Sequence, residues 1–517
     1  MKLNYKRTIL VGFAFFLISA FWQAYDATIP VILTNKFGMS QTWSGVIMAL
    51  DNILAVFMLP IFGALSDKCN TTYGKRTPFI TIGTVIATAA LLCLSFVDNA
   101  QLKNISAVSA IDNPAALEII YDTQADAQLL TPEGDTVVLR DKFTKEEFSA
   151  IRCKVTDPKN GKTITNPDYT NYVAPARQAY AAQRTSENST PLVLFIILLL
   201  IVLIAMATFR SPAVALMPDV TMKPLRSKAN AIINLMGTAG GILVLVLGMA
   251  FSTSAVQNAL MSYTFYYAVI AAIMLVALAI FLCTVREPKW AAEMAANSVK
   301  YGIEEEDTAC AENRKLTFAE KKSLIFILLS IALWYFGYNA VTSKYAVYAG
   351  NILDKDYNTT MLIAQGAAIV AYLPAGTVAF RIGRRKTILG GVVMLTTAFA
   401  LAAFMRSNSP TWIMNLLFAL AGVAWATINV NSFPMVVEMC SGADIGKYTG
   451  FYYTASMTAQ IATPMLSGLL MDKMGMTVLF PYAAIFVALA FVTMYAVQHG
   501  DARIAAKKGL EAFDTED

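Results

Sequence analysis

Twelve apolar runs dominate this chain, each close to the roughly 20 residues that cross a bilayer core. They lie at about 8–34, 42–65, 77–97, 190–217, 229–252, 262–285, 322–350, 359–380, 386–405, 411–437, 447–471 and 477–498. In lipid the backbone has no water to bond, so each run is expected to be a helix. The residues between them do not dilute this signal. Of 517 residues, 56% are hydrophobic and only 15% charged, too few for a soluble surface. The chain reads as an all-α membrane protein with twelve spans. The first run has the basic start of a secretory leader, but its apolar stretch continues past Phe21 without a break and eleven more runs follow.

Charge sets the expected orientation. With the N-terminus inside, the inside segments hold 25 Lys or Arg and the short outside loops hold 4. The positive-inside rule then puts both termini on the cytoplasmic side of a cell membrane, inner or plasma. The expected parts are spans 1–3 (residues 1–97), an extracytoplasmic insert (98–189), spans 4–6 (190–285), a cytoplasmic linker with the acidic run EEED (286–321), spans 7–12 (322–498) and a tail (499–517). In the insert, PEGD and KNG read as turns between short β-runs such as TVVLR and KTIT, which predicts a small mixed subdomain. The six cysteines (69, 93, 153, 283, 310, 440) have no paired spacing, so neither a metal site nor a disulfide framework is expected. The single histidine, His499, ends the last span, so the spans cannot hold a histidine relay.

The chain repeats itself. Tyr25-Asp26-Ala27 in span 1 matches Tyr338-Asn339-Ala340 in span 7, 313 positions on. Leu59-Pro60 in span 2 matches Leu373-Pro374 in span 8, 314 positions on. Met217-Pro218-Asp219-Val220 and Phe433-Pro434-Met435-Val436 are only 216 apart, and the shortfall is close to the length of the insert. Two six-span halves related by duplication, with the insert in the first, account for all three offsets. That is the plan of the major facilitator fold, two pseudo-symmetric six-helix bundles.

A basic hairpin recurs in each half. GALSDKCNTTYGKRTPFI (63–80) joins spans 2 and 3, and AGTVAFRIGRRKTI (375–388) joins spans 8 and 9. Gly63 and Gly376 allow close helix approach. Gly74 and Gly383 are counted in the same expected gating motif. Asp67 is expected near a helix N-terminus or an arginine. Arg76 and the cluster Arg381, Arg384 and Arg385 are expected to pair across the corner in one state of a rocking carrier. Simple anchoring by positive charge explains the same residues.

Charges inside a bilayer cost about 2.5–3.5 kcal/mol each on insertion scales, so they face a cavity or a partner. Asp26 and Asp51 lie about 7 and 9 residues from the outer ends of spans 1 and 2, roughly 10–14 Å deep. Two carboxylates at similar depth on adjacent helices can hold and release a proton. Asp51 is assigned to the proton and Asp26 to substrate hydroxyls as well; an alternative is a structural pair of Asp26 with Lys344, which can also snorkel outward. Sugars need aromatic faces for their C–H surfaces and amides or carboxylates for their hydroxyls. Span 1 offers Trp22, Gln23 and Tyr25; span 7 Trp334, Tyr338, Asn339 and Lys344; span 10 Trp425, Asn429 and Asn431; span 11 Tyr453 and Gln460. Any one aromatic is explained by packing, but the whole set is not.

GALSDKCNTTYGKRTPFI closely resembles the span 2–3 hairpin of sucrose-type carriers: the solute carrier family 45 proteins and the plant sucrose–proton symporters. The related glycoside–pentoside–hexuronide:cation symporters carry a similar GK-x-x-P-[FW]-I element. MPDVTMKPLRSKANAIINLMG (217–237) looks like the family's span 4–5 passage, and RIGRRKTI fits its second-half motif. The resemblance covers nearly the whole chain except the insert and the linker. Two positions depart from it. Melibiose-type carriers bind a cation through span 2 carboxylates, where this chain has Ala55 and Leu59. Plant sucrose carriers place an arginine five residues before the span 4 aspartate, where this chain has Val214; Arg210 lies one turn earlier. Whether Arg210 takes its place is open.

Residues and resemblance together predict a monomeric proton–sugar symporter for a disaccharide or glycoside, working by alternating access. Its partners would be the sugar, the coupling proton and the bilayer, with no cofactor and no nucleic acid. A drug–proton antiporter is the first alternative, but NLMGTAGGILVLVLG in span 5 lacks the proline of the antiporter glycine motif. A transporter-like receptor using the insert is the second. No nucleophile–base set, phosphate loop or metal cluster points to an enzyme.

Overall fold

The structure is a computed structural model describing residues 3–156, 163–222, 225–300, 317–437, 439 and 445–499. Twelve long helices stand where the apolar runs lie: α1 (Tyr5–Asn35), α2 (Gln41–Lys68), α3 (Thr77–Asn104), α7 (Thr190–Val220), α8 (Arg226–Ala250), α9 (Thr264–Thr284), α11 (Phe318–Tyr348), α12 (Tyr357–Ile382), α13 (Arg384–Ala402), α14 (Thr411–Val437), α15 (Ile445–Met474) and α16 (Leu479–Tyr495). Ten of them are long and apolar enough to cross a membrane, judged on the described residues; α12 and α15, of 26 and 30 residues, have the length. Helix starts carry side-chain caps where the sequence supplies them. Ser40 accepts the Trp43 N–H, and Thr317 with Glu320 forms a capping box on α11.

Three hydrophobic cores divide the molecule. The first is built mainly from α1–α3 and α7–α9, the second almost entirely from α11–α16, giving two six-helix bundles. The third fills the insert, around Leu117, Ile120, Leu139, Phe148, Tyr169 and Val173. The insert is mixed, as its turn chemistry suggests. It holds α4 (Pro114–Gln124), α5 (Lys145–Ala150), α6 (Ala174–Glu187) and two antiparallel hairpins, β1 (Leu129–Leu130) with β2 (Thr136–Val137) and β3 (Lys154–Thr156) with β4 (Thr163–Thr165). The PEGD turn joins β1 to β2; the strand in TVVLR covers only its first two residues, and KNG lies outside the described residues.

One boundary moves, and the linker holds a helix. Helix α3 runs to Asn104, past the expected end at 97, because its polar last turns are buried and partnered. Lys36 Nζ meets the Asp98 carboxylate at 2.6 Å with both side chains fully buried, and Gln101 bonds the Lys36 carbonyl and Thr185. The linker begins with a helix, α10 (Glu287–Lys300), whose Trp290 is buried under the Arg7 guanidinium at 5.1 Å. EEED lies outside the described residues.

The two bundles are tied together at the end that bears the insert. There Gly45 of α2 lies against the Pro464 carbonyl of α15, and Gly468 against the Gln41 carbonyl; an added Cβ would stand 2.0 and 2.2 Å from those oxygens. Asp472 accepts from the backbone N–H of Gln41 and Thr42, and Lys344 Nζ donates to the Gln41 carbonyl at 2.5 Å. Lys344 therefore pairs with the start of α2, not with Asp26. The insert joins in. Thr165 donates to Asp354 of the second bundle, and the Met476 N–H to the Pro132 carbonyl. Toward the opposite end α2 exposes Phe57, Ile61 and Leu65, and α15 exposes Phe451 and Tyr453.

At that opposite end the two basic turns differ, and each closes within its own half. Arg76 is buried and reaches Asp67 (2.5 Å), Asp219 (2.7 Å) and the Ser66 hydroxyl (2.5 Å), all in the first bundle. The expected pairing of Arg76 with the second-half arginines is therefore replaced by a network inside the first bundle. Gly74 has φ +117° and packs its α-carbon against Glu287, where any Cβ would collide. Glu287 accepts from the backbone N–H of Lys75, Arg76 and Thr77, so the linker helix caps α3. In the second half one residue, Gly383 (φ +96°), separates α12 from α13. Gly376 lies within α12, Arg381 is exposed, Arg384 is half-buried, and Arg385 donates to the Tyr495 carbonyl. Gly63 packs near Ser211 of α7.

Candidate functional site

Between the bundles, just below the tied end, lies an open cavity of about 650 Å³. Helix α1 supplies Trp22, Tyr25 and Asp26; α2 supplies Met48, Asp51 and Asn52; α7 supplies Arg210. The second bundle supplies Asn339, Thr342 and Ser343 from α11, and Gln460 and Pro464 from α15. The helical period brings these residues inward: Trp22, Tyr25 and Asp26 lie at i, i+3 and i+4, on one face. Asn339 and Ser343 repeat that spacing on α11.

The charges interact across the space. Asp26 and Asp51 are electrostatic neighbours, and Arg210 is the cationic neighbour of Asp51. The Arg210 guanidinium also sits 5.7 Å from the Trp22 ring centre. Asn52 donates to the Asp51 carboxylate at 2.7 Å. Three polar atoms in this lining, Trp22 Nε1, the Tyr25 hydroxyl and Asn339 Nδ2, are buried without a hydrogen-bond partner among the described residues. Buried polar atoms are nearly always satisfied in native proteins, so such a cluster marks where a polar ligand fits.

Six of the sequence candidates thus meet in one cavity: Trp22, Tyr25, Asp26, Asp51, Asn339 and Gln460. The others surround it or serve elsewhere. Tyr338 stacks on Trp425 at 3.6 Å and 5°, within electrostatic reach of Asp26. Tyr453 stands near Arg210. Gln23 is buried between the bundles, donating to the Tyr357 hydroxyl and accepting from Gln365. Trp334 is wholly inside the second core. Asn431 is buried and donates to the Thr427 carbonyl, while Asn429 is half-buried. Lys344 belongs to the tie described above. Arg210, left open by the sequence, joins Met48, Asn52, Thr342, Ser343 and Pro464 as a cavity residue outside the candidate set. Its signal was an intramembrane charge on span 4 one turn from the family position.

Known proteins match this chain in parts. The family described as MFS/sugar transport protein matches residues 10–108, and the Major Facilitator Superfamily matches residues 353–512. The MFS-type transporter ppzB of Metarhizium majus (strain ARSEF 297) is 29% identical over 124 residues, 24% of this chain and 26% of that protein. Sucrose transport protein SUC4 of Arabidopsis thaliana is 30% identical over 74 residues, 14% of each chain. The chain thus aligns with only about a quarter, or less, of the length of these curated relatives. Among solved structures, the inward-open xylose transporter XylE from E. coli superposes with a TM-score of 0.57 at 14% identity, covering 98% of this chain and 99% of that one. The nucleoside transporter NupG gives 0.51 at 15% identity, covering 96% and 100%. At such identities the likeness concerns the fold, and it agrees with the two six-helix bundles. The family matches at 10–108 and 353–512, together about half of the chain, make this protein a member of the major facilitator superfamily.

Proposed function

We propose that the protein is a proton-coupled sugar symporter working by alternating access. The observation that carries this reading is the cavity between the bundles. It sets two carboxylates beside one arginine and adds unpartnered donors on Trp22, Tyr25 and Asn339. With Asp26 and Asp51 both ionised, the three charged groups leave one negative charge in excess. One bound proton balances them. A neutral lining crosses the low-dielectric bilayer at less cost than a charged one, so proton loading favours reorientation. A neutral polyol suits the remaining surface: aromatic edges for C–H groups, and Asn339, Gln460 and the aspartates for hydroxyls.

In this reading Asp51 carries the proton and Asp26 holds substrate hydroxyls. The insert end is extracytoplasmic and both termini are cytoplasmic, so the state described is closed to the outside. The substrate shifts the balance by binding the two states unequally. The sugar-transport names of relatives matching residues in this chain support the substrate class. Proton uptake by de-energised cells expressing the protein tests the proposal, with sucrose, maltose, trehalose and simple glycosides added in turn. Alkalinisation of the medium by one sugar, lost in Asp51→Asn, is expected. No response to any sugar, with intact protein in the membrane, overturns it.

A further inference from the structure

A second crevice, of about 750 Å³, lies at the tied end, above the Gln23–Tyr357 bond and separate from the central cavity. Its walls come from three bodies. The insert gives Tyr169 and Arg177, the first bundle Asn35 and Ser254, and the second bundle Gly350 and Asn351. Arg177 is the unusual member. It is only 4% exposed, its Nη2 donates to the Ile111 carbonyl at 3.1 Å, and its Nε and Nη1 are buried without a hydrogen-bond partner among the described residues. The Tyr169 ring centre lies 5.8 Å from the guanidinium.

A guanidinium keeps its proton in any protein setting, so burial leaves a full positive charge needing a counter-ion. Among the described residues no carboxylate forms an ion pair with it. The carboxylates nearby are engaged elsewhere: Asp112 accepts the Cys153 N–H at 2.6 Å, Asp354 accepts from Thr165, and Asp356 accepts from Asn358 and Thr359. They also lower the local potential, which disfavours a dianion. The rest of the lining mixes amides and the hydroxyls of Thr253, Ser254 and Tyr357 with apolar surface. We propose that this crevice binds a small hydroxylated monocarboxylate, its carboxylate on Arg177 and its hydroxyls on the amides of the two bundles.

The site stands apart from the transport reading, and direct binding tests it without reference to transport. The intact purified protein is titrated calorimetrically with sodium gluconate, with sodium phosphate and with glucose. Saturable gluconate binding is expected, with weaker binding of phosphate and glucose. Arg177→Gln should weaken gluconate at least about tenfold, the loss of one charge-assisted hydrogen bond. Gly350→Leu fills the crevice from the opposite wall, since its Cβ meets nothing within 4 Å, and should weaken gluconate similarly while leaving Arg177 in place. No saturable gluconate binding, or binding unchanged in Gly350→Leu, overturns the proposal. Tighter binding of phosphate or glucose than of gluconate overturns the ligand class.

Discussion

The Asp472 carboxylate accepts the backbone N–H of Gln41 at 2.8 Å, so the start of α2 is capped from the other half of the molecule. The same carboxylate takes the Thr42 N–H and hydroxyl at 2.7 and 2.5 Å. The N-terminus of a helix is where a negative charge is most favourable, and here it fastens the two bundles. Asp472→Asn removes the charge and should loosen this tie by about 1.5–3 kcal/mol. That corresponds to a shift of roughly ten- to a hundredfold toward the state open at the insert end. A cysteine placed at Ser343 should then react faster with a membrane-impermeant thiol reagent applied from that side. An unchanged rate would remove Asp472 from the tie.

Gly468 is a steric counterpart to that bond. A Cβ there would stand 2.2 Å from the Gln41 carbonyl oxygen. Gly468→Val should prevent closure at the insert end, at a strain of about 1–3 kcal/mol. Uptake should fall while the protein stays folded and the Ser343 position stays open to reagent. Normal uptake by Gly468→Val would mean that this close crossing is not required.

At the other end, Glu287 holds three backbone donors of the α2–α3 turn and the start of α3, and is itself buried. Glu287→Ala leaves those donors without an acceptor, which should cost about 2–4 kcal/mol. The thermal unfolding midpoint in detergent should drop clearly, and less for Glu287→Gln, which keeps an acceptor oxygen. Equal effects from both would show that the cap acts through charge rather than through hydrogen bonds.

The Lys36–Asp98 pair lies wholly buried, with Lys36 also donating to the Met261 carbonyl at 2.7 Å. Removing one partner strands a charge. Lys36→Met should therefore destabilise by about 3–5 kcal/mol, whereas Lys36→Met with Asp98→Leu should recover most of that loss. Thermal unfolding of the three proteins reads the difference. A double variant no better than the single one would show that the pair does more than compensate its own burial.

In the insert, burial pushes the Cys153 thiol from an ordinary value of 9.0 up to about 11, with the Asp112 carboxylate adding to the effect. The thiolate is the reactive form, so alkylation at pH 7.5 should be about a hundredfold slower than for a free thiol. Stability follows the same shift. The folded thiol holds its proton more tightly than the unfolded one, so its contribution is complete below pH 9 and is lost between pH 9 and 11. Rapid labelling of the native protein at Cys153 would contradict this burial.

The helices were legible because the bilayer allows little else. Helix α14 spans Thr411–Val437, where its apolar run lies. The Asp26–Asp51 pairing was legible too, since depth follows from residue count along two neighbouring helices. Partnership across the chain was not. Nothing near Gly74 announces Glu287, 213 positions later, and nothing in span 7 says that Lys344 will reach Gln41 rather than Asp26. Trp334 and Trp425 look alike in sequence, yet one is sealed in the core and the other is stacked under Tyr338 beside the cavity. Helical spacing gives the face of a residue. Which neighbour covers that face depends on how the bundles meet.

Because Thr165 of the insert bonds Asp354 and Pro132 bonds Met476, the insert end carries a composite epitope. Both sides of that epitope stand together only while the bundles are tied there. An antibody fragment selected to span the seam would report whether the bundles are tied there, and at saturation would hold them tied.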